Sequence, residues 1–86
     1  MKEAKDDMYI NVTVDLKRYK HPPLEFRLSN QHSIKRLIDI AWQTTNLPVR
    51  PREGFWIRVQ NKDRTYAGSL SLEECGITTG DRVEIL

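Results

Sequence analysis

The sequence holds one cysteine, Cys75, two histidines, four glycines and no long apolar run among its 86 residues. A lone cysteine forms no internal disulfide, which fits a reducing compartment. Nothing approaches the roughly 20 apolar residues of a membrane-spanning helix. The opening Met-Lys-Glu-Ala-Lys-Asp-Asp lacks the apolar stretch of a secretory signal. His21, His32 and Cys75 are too few for a conventional zinc tetrad. There is no phosphate-cradling glycine loop and no paired-histidine zinc motif. Glu73 and Glu74 beside Cys75 oppose thiolate formation, the reverse of activation. A chain this short hides about two-thirds of its unfolded surface, so one compact domain is expected, without a deep substrate cleft. No enzyme, cofactor, metal or small-molecule substrate is expected.

An excess of one charge is missing too. Fourteen basic and twelve acidic side chains leave a net charge of +2, too balanced to imply nucleic acid by itself. The distribution is uneven. Residues 1–7 carry two lysines and three acids, while Lys17, Arg18, Lys20, Lys35, Arg36, Arg50, Arg52 and Arg58 precede residue 60 and Glu73, Glu74, Asp81 and Glu84 follow it. A solvated surface and a basic patch for an acidic partner both fit this arrangement.

What is present is clear periodicity. Ile10, Val12, Val14 and Leu16 alternate with Tyr9, Asn11, Thr13 and Asp15, as in a half-buried strand. Leu24, Phe26 and Leu28 predict a second strand, antiparallel to the first, with pairing interrupted at Pro22-Pro23 because proline cannot donate to the ladder. Ile34, Leu37, Ile38, Ala41 and Thr45 follow helical spacing, with Ser33 as N-cap and His32 as a second candidate cap. Pro48 is expected to end that helix. Trp42 reads as a residue at the core's boundary and His21 as an exposed loop residue.

Phe55, Ile57 and Val59 predict a third strand, and Thr65-Tyr66-Ala67 a short return strand. Ser71 with Glu74 fits a capping box around one helical turn, ended by Gly76. Val83 and Ile85 mark the last strand. The expected fold class is α+β, in the order ββαβββ, with a sheet packed on one helix and a short helical turn before the last strand. Residues 1–7 are expected to form a disordered tail and residues 8–86 the domain.

Alternation also yields the candidate site. If Ile57, Val59, Val83 and Ile85 face the helix, then Trp56, Arg58, Arg82 and Leu86 share the open sheet face. Trp and Arg are enriched at interface hot spots. The alternative folds Trp56 onto the Pro48–Pro51 loop. Ile40 is a second, weaker surface candidate, so the helix face also remains open as a docking surface.

Residues 8–86 resemble ubiquitin and its β-grasp relatives, most clearly in the spacing of Leu72, Ile77, Val83 and Ile85. The resemblance implies a mixed sheet. Ubiquitin runs on to a flexible Gly-Gly tail, whereas this sequence closes on Glu84-Ile85-Leu86, so no conjugation or sulfur carriage is expected. Ubiquitin's apolar patch centres on an isoleucine in its third strand, whereas the outward residues here are Trp56, Arg58 and Gln60.

Within the fold the chain is more similar to the YukD/EsaB family of small bacterial proteins. The likeness lies in YINVTVDLK over residues 9–17, IDIAWQ over 38–43, PREGFWIRV over 51–59 and CGITTGDRVEIL over 75–86. It implies a cytoplasmic accessory component of type VII secretion. Such a component would dock on the cytoplasmic part of the membrane machinery or its ATPase, recruited to the inner membrane face without inserting. A covalent modifier or sulfur carrier, and a nucleic-acid adaptor, are the competing readings.

Overall fold

The computed structural model describes residues 9–86; the expected disordered tail over residues 1–7, and Met8, lie outside the described residues. The alternating segment Tyr9–Leu16 forms β1, and His21–Ser29 forms β2. A 3₁₀ turn over Lys17–Tyr19, closed by Lys20 in the left-handed region, joins them. The register between β1 and β2 shifts between Val14, opposite Leu24, and Leu16, opposite His21. Pairing is interrupted at Pro22-Pro23 as expected, but the strand begins three residues earlier than the periodicity implied. β2 is an edge strand, where a proline's missing donor can face solvent.

Ile34–Thr45 forms α1, with the Ser33 hydroxyl accepting from the Arg36 N–H at 3.1 Å. Ser33 is the cap and His32 is not. The His32 carbonyl instead accepts from the Leu72 N–H at 2.9 Å. Two further N–H groups of the first turn, those of Ile34 and Lys35, donate to Leu70 and Gly68. This satisfies donors that a helix start always leaves open and fastens α1 to the loop after the fourth strand. The helix stops at Asn46, in the left-handed region with its N–H on the Trp42 carbonyl. The stop is therefore a C-cap two residues ahead of Pro48.

Three short strands complete the sheet: Ile57–Val59 (β3), Arg64–Tyr66 (β4) and Arg82–Ile85 (β5). The sheet order is β2-β1-β5-β3-β4, with β1 and β5 parallel and every other pair antiparallel. The sheet is thus mixed, and the order ββαβββ holds. Phe55 does not belong to β3. It and Gly54 both have positive φ, so the chain turns before the strand begins. Phe55 is partly buried against the core and lies under the Lys35 ammonium, 5.0 Å from the ring centre.

One face of the sheet buries Ile10, Val12, Val14, Ile57, Val83 and Ile85 together with Ile34, Leu37, Ile38 and Ala41 of α1. Leu72 and Ile77 complete the core from a turn held by the reciprocal Ser71–Glu74 capping box. Each such side chain contributes about 1.5–3 kcal/mol on full burial. Cys75 belongs to the same core. Burial first, and then the Glu74 charge, push its thiol up to about 11.

Candidate interaction face

The other face of the sheet is where polar chemistry collects. The β3–β5 ladder places Arg58 opposite Glu84 and Ile57 opposite Ile85. Backbone bonds extend it one pair each way, from Leu86 N–H to Trp56 O and from Gln60 N–H to Arg82 O. Trp56, Arg58 and Gln60 therefore stand beside Leu86, Glu84 and Arg82, all opposite the apolar face. The structure brings all four candidate residues onto one surface, Trp56 and Leu86 at one end and Arg82 at the other.

Two acids that pattern reading placed outward turn out to be buried. Glu84 is 3% and Asp15 is 6% exposed. They are register partners across β1 and β5, in line with Arg58 on β3. Glu84 lies 3.5 Å from Arg18 and 3.8 Å from Arg58, and Asp15 lies 3.3 Å from Arg82. Asp15 also accepts from the Lys17 backbone N–H at 2.9 Å. The arginines remain roughly half-exposed over the acids they cover. A partner approaching this face meets guanidinium groups, with the carboxylates beneath them. Each pair joins a half-exposed arginine to a buried carboxylate, which holds rigid, planar donors at the surface.

Burial alone would raise the Asp15 carboxyl. The Lys17 N–H and the Arg82 guanidinium outweigh it and hold the group below its ordinary 3.8. A carboxyl lowered on folding adds stability above its unfolded value, and that stability is lost as pH falls through the folded value. Urea unfolding is therefore expected to show stability falling between about pH 5 and pH 2, with Asp15→Asn falling less over the same range. Parallel curves for the two proteins would show that Asp15 makes no such contribution.

Trp56 is 44% exposed. Its indole rests over Gly54, where an added Cβ would sit 2.5 Å from Nε1. Its side chain forms no hydrogen bond to the Pro48–Pro51 loop among the described residues. Trp42 is the residue that engages that loop. Its Nε1 donates to the Val49 carbonyl at 2.6 Å, and its ring meets Tyr19 edge-to-face at 4.8 Å. The Tyr19 hydroxyl donates to the Leu86 carbonyl at 2.7 Å. Periodicity reveals neither the burial of Asp15 and Glu84 nor the place of Arg18 and Tyr19. Asp15 flanked by Val14 and Leu16 was the nearest signal. Ile40 is partly buried against the core, which weakens it as a surface candidate.

A family model described as "WXG100 protein secretion system (Wss), protein YukD" matches residues 9–85. The chain is 53% identical over 79 residues to the "ESX secretion system protein YukD" of Bacillus subtilis (strain 168), covering 92% of this chain and all of that protein. Among solved structures it is similar to a designed protein based on ubiquitin, with a TM-score of 0.71 at 18% identity over 92% of this chain and 88% of the other. It is also similar to the ubiquitin of Caldiarchaeum subterraneum, with a TM-score of 0.70 at 14% identity over 90% of each chain. At such identities the likeness shows the fold, which is the ubiquitin-like β-grasp.

Proposed function

Since the chain belongs to the YukD family of the WXG100 protein secretion system (Wss), we propose that it is a non-conjugating docking module of that system. It binds a cytoplasmic protein surface of the secretion machinery, either the membrane complex or its ATPase, and attaches to nothing covalently. The observation that carries this reading is the open sheet face, where Trp56 and Leu86 adjoin arginines held over buried acids. An aromatic anchor beside oriented guanidinium groups is the composition of an interface hot spot. A cytoplasmic location fits a chain in which, among the described residues, no helix is long and apolar enough to cross a membrane.

One observation favours non-covalent action over a carrier role. The Cys75 thiol is buried, and burial with the Glu74 charge pushes it up to about 11, which disfavours the thiolate at neutral pH. The nucleic-acid reading finds less support, because Tyr19 is already committed to Trp42 and Leu86 and is not free to stack on a base.

The test is capture of the tagged protein from its native cells under native and denaturing washes, read by mass spectrometry. Secretion components should be retained natively and lost on denaturation. Adducts that survive denaturation and map to Leu86 or Cys75 would overturn the reading in favour of a covalent carrier. Filter binding to nucleic acid with a steep salt dependence would overturn it in favour of an adaptor.

A further inference from the structure

Beside the sheet face, the loop after α1 and the 3₁₀ turn after β1 enclose an open hollow of about 420 Å³. Its lining is Arg18, Tyr19, Val49, Arg50, Arg52 and Leu86. No acidic side chain lines it; Glu53 belongs to the same loop but stands outside. Arg18 is shared with Glu84, whereas among the described residues neither Arg50 nor Arg52 has an ion-pair partner. Val49 is 51% exposed, one of three large hydrophobic residues left exposed among the described residues. The walls are nonetheless set in place, by the Trp42 indole on the Val49 carbonyl and by the Tyr19 hydroxyl on the Leu86 carbonyl.

We infer that this hollow is a subsite for an acidic segment of a partner protein, taking a carboxylate between Arg50 and Arg52 and a neighbouring apolar side chain against Val49 and Tyr19. The inference rests on the docking reading above and names the chemistry of the bound segment. Guanidinium forks match carboxylates in a bidentate fashion, and two that form no ion pair among the described residues leave positive charge for a partner to meet. The shape favours a peptide over a lipid surface. A hollow between two loops admits side chains, whereas a flat headgroup layer would meet only its rim.

The experiment is an amide NMR titration of the intact chain with a synthetic peptide of alternating glutamate and leucine. A lysine–leucine peptide is the control. Vesicles of phosphatidylcholine with one-third phosphatidylglycerol form a separate arm. The acidic peptide should shift the amides of Tyr19, Val49, Arg52 and Leu86, and the response should weaken as salt is raised. Reversing both charges, Arg50→Glu with Arg52→Glu, should lower peptide affinity by about tenfold or more. Both side chains are exposed on a loop, so the fold should be unaffected.

Shifts confined to α1, no shifts at all, an equal response to the lysine peptide, or a response to the vesicles alone would each overturn the subsite. The two proposals fail separately. If the sheet face is not the docking surface, Trp56→Ala leaves capture of secretion components intact while the peptide still shifts the hollow. If the hollow is not a subsite, the peptide response is absent while Trp56→Ala still loses those components.

Discussion

Trp56→Ala is expected to lower affinity for the captured secretion component by roughly thirtyfold or more, with the unfolding midpoint nearly unchanged. The indole is the largest apolar group on the open face, and its exposed part is the surface a partner would cover. Truncating such an anchor costs about 2 kcal/mol or more, which converts to more than one decade in affinity. The fold should tolerate the change. The backbone carbonyl of Trp56, which receives the Leu86 N–H, is untouched, and the indole contributes little to the core.

Arg58→Glu should weaken binding as well, but its outcome needs a second readout. The new carboxylate would face Glu84 directly across the ladder, and Glu84 is buried. Some of the loss would then come from repulsion within the domain. Arg58→Gln avoids that clash and isolates the lost guanidinium. Calorimetry on both variants, with urea unfolding alongside, separates the two contributions. Unchanged affinity in Trp56→Ala and Arg58→Gln would mean that this face does not dock.

Leu37→Ala is expected to remove about 2–5 kcal/mol of stability, by lost transfer energy together with the cavity left behind. Leu37 is fully buried on the inner side of α1, among Ile34, Ile38 and Ala41. A chain of this size is stabilised by only about 5–15 kcal/mol, so the change consumes a large share of the total. The melting midpoint should fall by roughly 10 °C or more, at about 4–8 °C per kcal/mol for so small a domain. Lys35→Ala supplies the contrast on the same helix. It removes an exposed i,i+4 pair with Asp39 and the contact over Phe55, and its cost should stay within about 1 kcal/mol. Thermal and urea unfolding measure both. A loss below about 1 kcal/mol for Leu37→Ala would show that α1 does not hold the sheet as its burial implies.

Legibility along the chain followed the strength of local signals. The alternation of Ile10, Val12 and Val14 defines β1 because a period of two leaves one face to bury. Ser33 is found as a cap because a short hydroxyl side chain ahead of an apolar periodic run has an open N–H to bond. The same reasoning misplaces Phe55. Its apolar character continues the alternation of Ile57 and Val59, but the positive φ at Gly54 and Phe55 comes from loop closure and leaves no mark on the pattern. The helix end was expected at Pro48. It occurs at Asn46 because asparagine tolerates the left-handed region and closes the turn earlier.

The sequence by itself determined the elements, their order and the apolar face of each, because these depend on spacing along the chain. It also determined which face of the last strands would carry Trp56, Arg58, Arg82 and Leu86. Only the tertiary structure decided that Asp15 and Glu84 would be neighbours, since their pairing is a parallel contact between β1 and β5, 69 residues apart. Folding also brings Arg18, Arg58 and Arg82 over those two acids, turning an apparently mixed surface into one that presents guanidinium groups. Alternation specifies which way a side chain points. Whether it is then covered depends on which strands lie side by side, and that depends on how the whole chain closes around its core.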